Sequence, residues 1–305
     1  MTAAAVAAAV AVALVASLCY ALAAALQQHA AGQAETPGGL RLLGHLLTQR
    51  RWLAGVAAMV AGGCLHVLAL RLGPLALVQP IGVTGLVFAL PVGAALHGHR
   101  VVRGQLIAAA AVAAGLVAVL AAVQLPVQPP TVTGAGIAVL AGTIGAVVLG
   151  CGFFGRRLPT QARAVVFALG AGICFGVTSA LVRLVAVRAG QLGLAPAVLD
   201  WPTLVLLAAA GTGLSLAQSG YQIGSLGAVL PAVTVADPVA AVVVGQLLLG
   251  EPIRVSGPGA ALAGAGVAVL VAGAVVLSRH RGREPGAANR SSTDRRTHDL
   301  VLTAP

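Results

Sequence analysis

The chain has 305 residues, of which 59% are hydrophobic and 8% are charged, and its mean hydropathy is +0.99. In soluble domains about a quarter of the residues are charged, so this composition excludes an ordinary soluble globular protein. The formal net charge of +11 is the excess of eighteen arginines over seven acidic residues, since the chain has no lysine.

Nine apolar segments are long enough, at about 1.5 Å per residue, to cross a hydrocarbon core about 30 Å thick. Backbone groups cannot stay unpaired in lipid, so the segments are predicted to be helices. The expected fold class is all-α, a polytopic membrane protein of about nine transmembrane helices. In chain order the segments are 3–26, 52–70, 72–96, 104–123, 132–152, 164–182, 201–221, 223–250 and 255–278.

The stretches between these segments predict three further features. Residues 27–50 follow the first helix as a loop, with a short amphipathic helix at 40–47. Residues 125–133 contain three prolines and no charge, which is typical of a linker. From residue 279 onward the chain is polar and rich in arginine, which predicts a disordered tail lying against anionic headgroups. The first segment lacks a basic stretch before it, so it is predicted to be retained rather than cleaved as a signal peptide.

The arginines fall very unevenly on the two sides of the predicted membrane. One side holds fourteen of them and the other side three, while Arg183 is expected near a helix end. Cytoplasmic loops carry the excess of positive charge, so the N-terminus is predicted outside and the C-terminus in the cytoplasm of an inner-membrane protein. The basicity therefore reflects topology, and no nucleic-acid partner is expected. The fourteen are Arg41, Arg50, Arg51, Arg100, Arg103, Arg156, Arg157, Arg163 and the six arginines of the tail.

Two windows of the chain, 71–103 and 222–254, align without a gap at an offset of 151 residues. The uncommon residues that fall in phase are Gly73 with Gly224, Pro80 with Pro231 and Arg103 with Arg254. An odd number of segments, five, separates the two starts, so the second copy must cross the bilayer in the opposite sense. Inverted repeats with interrupted helices are typical of secondary transporters.

A second similarity, between 17–28 and 172–183 at an offset of 155, extends the duplication. The chain then reads as four helices, one linking helix and four more helices. The predicted domains are a first membrane repeat at 1–124, a linking helix at 125–160, a second membrane repeat at 161–278 and the tail at 279–305.

Asp237 is the candidate on which most of the functional interpretation depends. Ionisable groups cost about 2.5–3.5 kcal/mol at the centre of a membrane helix, so each one is a functional candidate. Asp237 precedes Pro238, which removes a backbone donor and disfavours helical geometry before it. A locally opened helix with freed carbonyl groups would suit a cation or a proton. The alternative is that Asp237 only pairs with Arg183 or caps the break.

The other candidates for the solute or ion pathway are polar groups and prolines inside or at the ends of the apolar segments. The alternative for His66 is a packing role in which its ring is hydrogen-bonded. The alternative for Gln28 and Arg183 is that they are polar only because they lie at the membrane interface. The four cysteines show no CxxC spacing, so neither a metal site nor a disulfide is expected. The remaining candidates are Gln79, Pro80, Thr84 and Pro231.

Several catalytic motifs are absent from the sequence. The chain has no GxxxxGK[ST], GxSxG or HExxH pattern and no paired carboxylates, so ATP-driven transport and enzymatic activity are not expected. No cofactor is expected. The expected partners are a small-molecule or ion substrate and the lipid bilayer, and a homo-oligomer is compatible with the sequence.

The run LGPLALVQPIG at 72–82 resembles a helix-start motif of the drug/metabolite transporter superfamily. So does LGAVLP at 226–231, which continues to Asp237-Pro238 and ends in LGE at 249–251 as in EamA-like members. This resemblance implies a secondary transporter of a small solute, working by alternating access.

Nine helices and the run LVQPIG at 77–82 are also similar to the NIPA-type magnesium transporters. That branch has a Gly-Glu pair in the preceding helix, whereas this chain has Gly62-Gly63-Cys64 there. A divalent-cation transporter is therefore the alternative function. A membrane-embedded enzyme and a scaffold that recruits partners through its tail are alternatives from other classes.

Overall fold

The computed structural model describes residues 3–72, 78, 81–98, 100–122, 134–249 and 257–279. Regular structure in these ranges is helical, and no strand occurs among them. The predicted all-α class is therefore confirmed. The helices are α1 (Ala3–Gln33), α2 (Leu40–Leu46), α3 (Arg50–Leu72), α4 (Gly85–His97), α5 (Arg103–Ala122), α6 (Gly134–Arg157), α7 (Thr160–Leu192), α8 (Leu194–Leu199), α9 (Trp201–Ile223), α10 (Leu226–Leu249) and α11 (Gly257–Arg279).

Within the described residues, seven helices are long and apolar enough to span a bilayer, namely α1, α3, α5, α7, α9, α10 and α11. Two shorter apolar helices, Ile81–Leu96 and Gly142–Gly155, lie at two further segments that the sequence predicts to be membrane-spanning. Large apolar side chains such as Ile107, Leu149 and Leu204 are more than 60% exposed on the protein surface. A soluble protein would not leave so much apolar surface in water. The chain is a multi-pass membrane protein.

Two of the sequence-based helix ends are wrong. α1 continues to Gln33, so the predicted loop at 27–50 begins seven residues too early, while the predicted short helix is confirmed as α2. α7 continues ten residues beyond the predicted end at 182 and stops before Gly193, whose φ is 88°. The first extension is rich in glutamine and alanine, and the second contains alanine, leucine and arginine, which are all good helix formers. Arg183 therefore lies within α7 and not at its end.

α10 also differs from expectation, because it is helical through both of its prolines, Pro231 and Pro238. The predicted local opening at Asp237 is wrong. An interruption lies instead within the segment predicted at 72–96, where a turn at Thr84 separates a helical stretch at 81–83 from α4. Pro238 still removes one donor from the helix ladder, because proline has no N–H to give to the carbonyl of Thr234.

The helices pack in two similar groups. In the first, α1 packs along α3 and α4, and in the second, α7 packs along α9 and α10. The two groups meet where α5 packs along α11, where α1 contacts α9, and where α4 contacts α10. α6 lies outside both groups, against α7 and α10.

Glycines set the distance between helices at these contacts. A Cβ on Gly62 of α3 would stand 3.2 Å from the carbonyl oxygen of Ala16 and 3.2 Å from the Cβ of Cys19, both in α1. A Cβ on Gly213 of α9 would stand 2.9 Å from the ring of Phe175 in α7. Small residues let backbones approach closely, which is how membrane helices gain van der Waals contact without a hydrophobic driving force.

Candidate functional site

Asp237 lies in the middle of α10, where its partly buried carboxylate accepts a hydrogen bond from the Ser179 hydroxyl of α7. The neighbouring hydroxyl, Thr178, instead bonds back to the Cys174 carbonyl oxygen at 2.8 Å. The sequence predicts back-bonding for both hydroxyls. That prediction is confirmed for Thr178, whereas Ser179 bonds to Asp237.

Two glycines of α7 bring Ser179 within reach of Asp237. A Cβ on Gly176 would stand 2.5 Å from the carbonyl oxygen of Asp237, and one on Gly172 would stand 2.8 Å from that of Val233. The backbones of α7 and α10 are therefore in direct contact. Ser179 is three residues beyond Gly176, so it lies on the same face of α7 one turn further along.

The prolines of α10 leave two backbone carbonyls without a helical donor, and one of the two is near Asp237. Pro238 leaves the carbonyl of Thr234 without its usual helical donor, and Pro231 does the same for Gly227. The Thr234 hydroxyl donates to the Leu230 carbonyl oxygen at 2.8 Å. Around Asp237 the helix thus offers a carboxylate, a hydroxyl and a freed carbonyl, all of them oxygen acceptors.

The proposed pairing of Asp237 with Arg183 stays a prediction. Arg183 lies on α7 one turn beyond Ser179, and its side chain is outside the described part of the structure. Gln79 and Pro80 also lie outside the described residues.

A second polar region lies at the turn that contains Thr84. Ser17 of α1 donates to the carbonyl oxygen of Ile81 at 2.8 Å, and the Thr84 hydroxyl donates to the same oxygen at 2.6 Å. His66 of α3 lies beside this turn, since a Cβ on Gly82 would stand 3.9 Å from its Cε1 atom. The structure therefore places His66 beside the turn that contains Thr84. Ser17 belongs to the same group, and the sequence analysis missed it because an isolated serine in an apolar helix is common.

The contact between α4 and α10 shows where the polar region at Thr84 lies relative to the polar region at Asp237. Gly93 of α4 lies against Leu226, and Leu86 shares a hydrophobic cluster with Leu230 and Val235. The two helices therefore run antiparallel along this contact. Thr84 precedes Leu86 by two residues and Asp237 follows Val235 by two, so both lie toward the same end of the contact.

Gln28 is not part of this group. It lies near the end of α1, and its buried Oε1 atom has no hydrogen-bond partner. The neighbouring Gln27 accepts a hydrogen bond of 2.9 Å from Nε2 of Gln218 in α9. The sequence analysis missed Gln218, although the polar run at 215, 218, 219 and 222 has helical spacing in an otherwise apolar segment.

The described part of the chain offers no obvious metal centre. No group of three or more His, Cys, Asp or Glu residues is close enough there to hold an ion. All four cysteines are free thiols, and Cys151 and Cys174 are buried.

Comparison with known proteins gives one relative. An uncharacterized protein of Corynebacterium glutamicum is 30% identical over 248 residues, which cover 79% of this chain and 84% of the relative. The chain belongs to the family of that corynebacterial protein. Neither a family profile nor a solved structure matches the chain.

Proposed function

We propose that the chain is a secondary transporter of the drug/metabolite transporter type, which moves a small solute by alternating access across the inner membrane. The observation that carries the proposal is that contacts within one helix group recur in the other at the offsets of the sequence repeat. Two inversely oriented halves around a shared path are a common architecture of secondary transporters.

The contact of α3 with α1 has a counterpart in that of α9 with α7. Gly62 packs on Cys19 and Tyr20, and Gly213 packs on Cys174 and Phe175. The glycines are 151 residues apart, and each packing partner is 155 residues from its counterpart. These values are the two offsets of the sequence repeat, so side-chain contact supports what alignment alone suggests.

The contact of α5 with α11 supports an inverted relationship. A Cβ on Gly115 would stand 2.6 Å from the carbonyl oxygen of Gly266, and one on Gly266 would stand 2.8 Å from that of Gly115. The two glycines are again 151 residues apart. Equivalent positions that touch each other reciprocally are the mark of a two-fold axis. The axis proposed here passes between α5 and α11.

The seven long helices and the two shorter apolar ones together make nine proposed spans. With an odd number of spans the termini lie on opposite sides. The arginine distribution then favours an external N-terminus and a cytoplasmic C-terminus.

We assign coupling to Asp237, because it is the carboxylate near the centre of a membrane helix and is surrounded by oxygen acceptors. A proton or a small cation bound there would offset the cost of its negative charge in the membrane. Transport would then follow an electrochemical gradient.

The test of transport is solute uptake into proteoliposomes that contain the purified protein and are offered a mixed pool of cell metabolites. Mass spectrometry of the vesicle contents should show at least one solute enriched over protein-free vesicles. Contents identical to those of protein-free vesicles would contradict the proposal.

The test of coupling is the pH dependence of that uptake. Asp237→Asn should reduce gradient-driven uptake to the level of protein-free vesicles, because an amide cannot bind and release the proton. Asp200→Asn is the matched control, since Asp200 is paired with Arg188 at the start of α9. If Asp237→Asn takes up solute as fast as the unchanged protein and with the same pH dependence, Asp237 does not couple transport to the gradient.

The divalent-cation alternative has one observation in its favour, namely the oxygen-rich surroundings of Asp237. Magnesium prefers oxygen ligands and keeps several waters, so one carboxylate with hydroxyl and carbonyl neighbours resembles a loose site. Magnesium uptake by the same vesicles, measured with an internal indicator, separates this alternative from transport of an organic solute.

A further inference from the structure

Residues 34–39, between α1 and α2, are hydrogen-bonded to the end of α9. The side-chain amide of Gln222 donates to the carbonyl oxygens of Ala34 at 2.9 Å and Thr36 at 2.7 Å. The backbone N–H of Gly39 donates to the Ser219 hydroxyl at 3.0 Å. These three bonds join positions that are 180 or more residues apart in the sequence, so they link the first helix group to the second.

A glutamine pair forms the next layer, one turn deeper along α9. Nε2 of Gln218 donates to Oε1 of Gln27, and both side chains are more than 90% buried. The remaining Oε1 of Gln218 and the Oε1 of Gln28 are buried without a hydrogen-bond partner. A buried acceptor without a donor is costly, and access of water to this layer would relieve that cost.

The short helix α2 holds residues 34–39 in place. Its Leu42 and Leu46 are fully buried in a cluster with Ala30, Ala31 and Tyr221. This cluster contains residues of α1, α2 and α9, so the loop is anchored by packing as well as by hydrogen bonds.

We propose that residues 34–39 and the Gln218, Ser219 and Gln222 side chains form a latch that closes the arginine-rich, cytoplasmic end of the transport path. The inference rests on the proposed function, because alternating access requires this end to separate during each cycle. Neutral hydrogen bonds suit a latch, since each changes an equilibrium only about fivefold. Several such hydrogen bonds together hold the cytoplasmic end closed, and breaking them leaves no buried charge unpaired.

A cysteine reporter tests the latch without any knowledge of the solute. Ser215 is 8% exposed and lies one helical turn deeper than Ser219 on the same face of α9. In a background without native cysteines, Ser215→Cys should react slowly with a membrane-impermeant maleimide applied to inside-out vesicles. Adding Gln222→Ala removes two of the bonds and should speed labelling about tenfold or more.

The matched control is Gln49→Ala, a glutamine on the same side whose amide bonds to His45 within its own loop at 2.9 Å. It should leave the labelling rate unchanged. Equal labelling rates in Gln222→Ala and Gln49→Ala would overturn the latch.

A designed disulfide tests the same contact by locking it closed, whereas Gln222→Ala weakens it. A Cβ on Gly38 would stand 3.5 Å from the Cβ of Ser219, which is within the range of disulfides. Gly38→Cys/Ser219→Cys should therefore cross-link on oxidation, as detected by mass spectrometry, and lose solute uptake until a reductant is added.

The outcomes distinguish the latch from the proposed function. Failure to cross-link, or full uptake by completely cross-linked protein, would overturn the latch and leave transport intact. If the unchanged protein takes up no solute but Gln222→Ala still labels faster, transport is contradicted. The latch would then stand as a set of contacts that holds the cytoplasmic end closed.

Discussion

Gly176 shows how a single residue positions the candidate site. Its missing side chain lets the backbone of α7 lie against Asp237 and Ala240, where a Cβ would stand 2.5–2.6 Å from the nearest atoms. Those atoms are backbone and a short side chain, so they cannot move aside without separating the helices. The Ser179–Asp237 hydrogen bond depends on this short distance between α7 and α10.

We expect Gly176→Ala to destabilise the protein by about 1–3 kcal/mol, the usual cost of overpacking. The measurement is the Tm of the purified protein in detergent. Gly211→Ala in α9 is the control, because a Cβ there would have no atom within 4 Å and alanine favours a helix more than glycine does. Equal Tm values for the two variants would show that the α7–α10 contact is looser than described.

Sequence reasoning found Asp237 but not the residues it interacts with. A charge in an apolar segment is visible from composition, whereas the choice of Ser179 over Thr178 as its partner depends on the rotation of α7. Gln218 and Gln222 were missed for a different reason. Neutral amides cost less in a membrane than charges, so they attract less attention, even though their spacing places them on one face of α9.

At the scale of helices, the reciprocal contact of Gly115 with Gly266 supports the proposed two-fold relationship between the two helix groups. Each glycine accommodates the backbone of the other helix, so neither position has room for a Cβ. A two-fold relationship makes the two positions equivalent in their surroundings.

Gly115→Ala and Gly266→Ala are therefore expected to lower the Tm by similar amounts. Gly264→Ala serves as the comparison on α11, since no atom lies within 4 Å of a Cβ at that position. A large loss of stability in one variant and none in the other would contradict the two-fold arrangement of α5 and α11.

The centres of the helices were predictable, but several of their ends were not. Apolar length fixes where a segment crosses a membrane, whereas residues 27–33 and 183–192 continue as helices because their polar residues are good helix formers. The continuous helix at Pro238 also differed from expectation. Proline removes one donor wherever it stands, and α10 remains helical there while it packs along α7.

On the scale of the whole molecule, the short helices α2 and α8 occupy corresponding places in the two groups. α2 follows α1 and precedes α3, just as α8 follows α7 and precedes α9. Thr48 lies two residues beyond α2, and Leu199 is the last residue of α8. Both are exposed, and they are 151 residues apart. An inverted repeat requires such equivalent positions to lie on opposite sides of the membrane.

The most direct test of the inverted repeat is the side of the membrane from which these two positions can be labelled. Thr48→Cys and Leu199→Cys, each in a background without native cysteines, should react with an impermeant maleimide from opposite sides. Cysteine at 48 should label only in inside-out vesicles, and cysteine at 199 only in intact cells or spheroplasts. Labelling of both positions from the same side would contradict the inverted repeat.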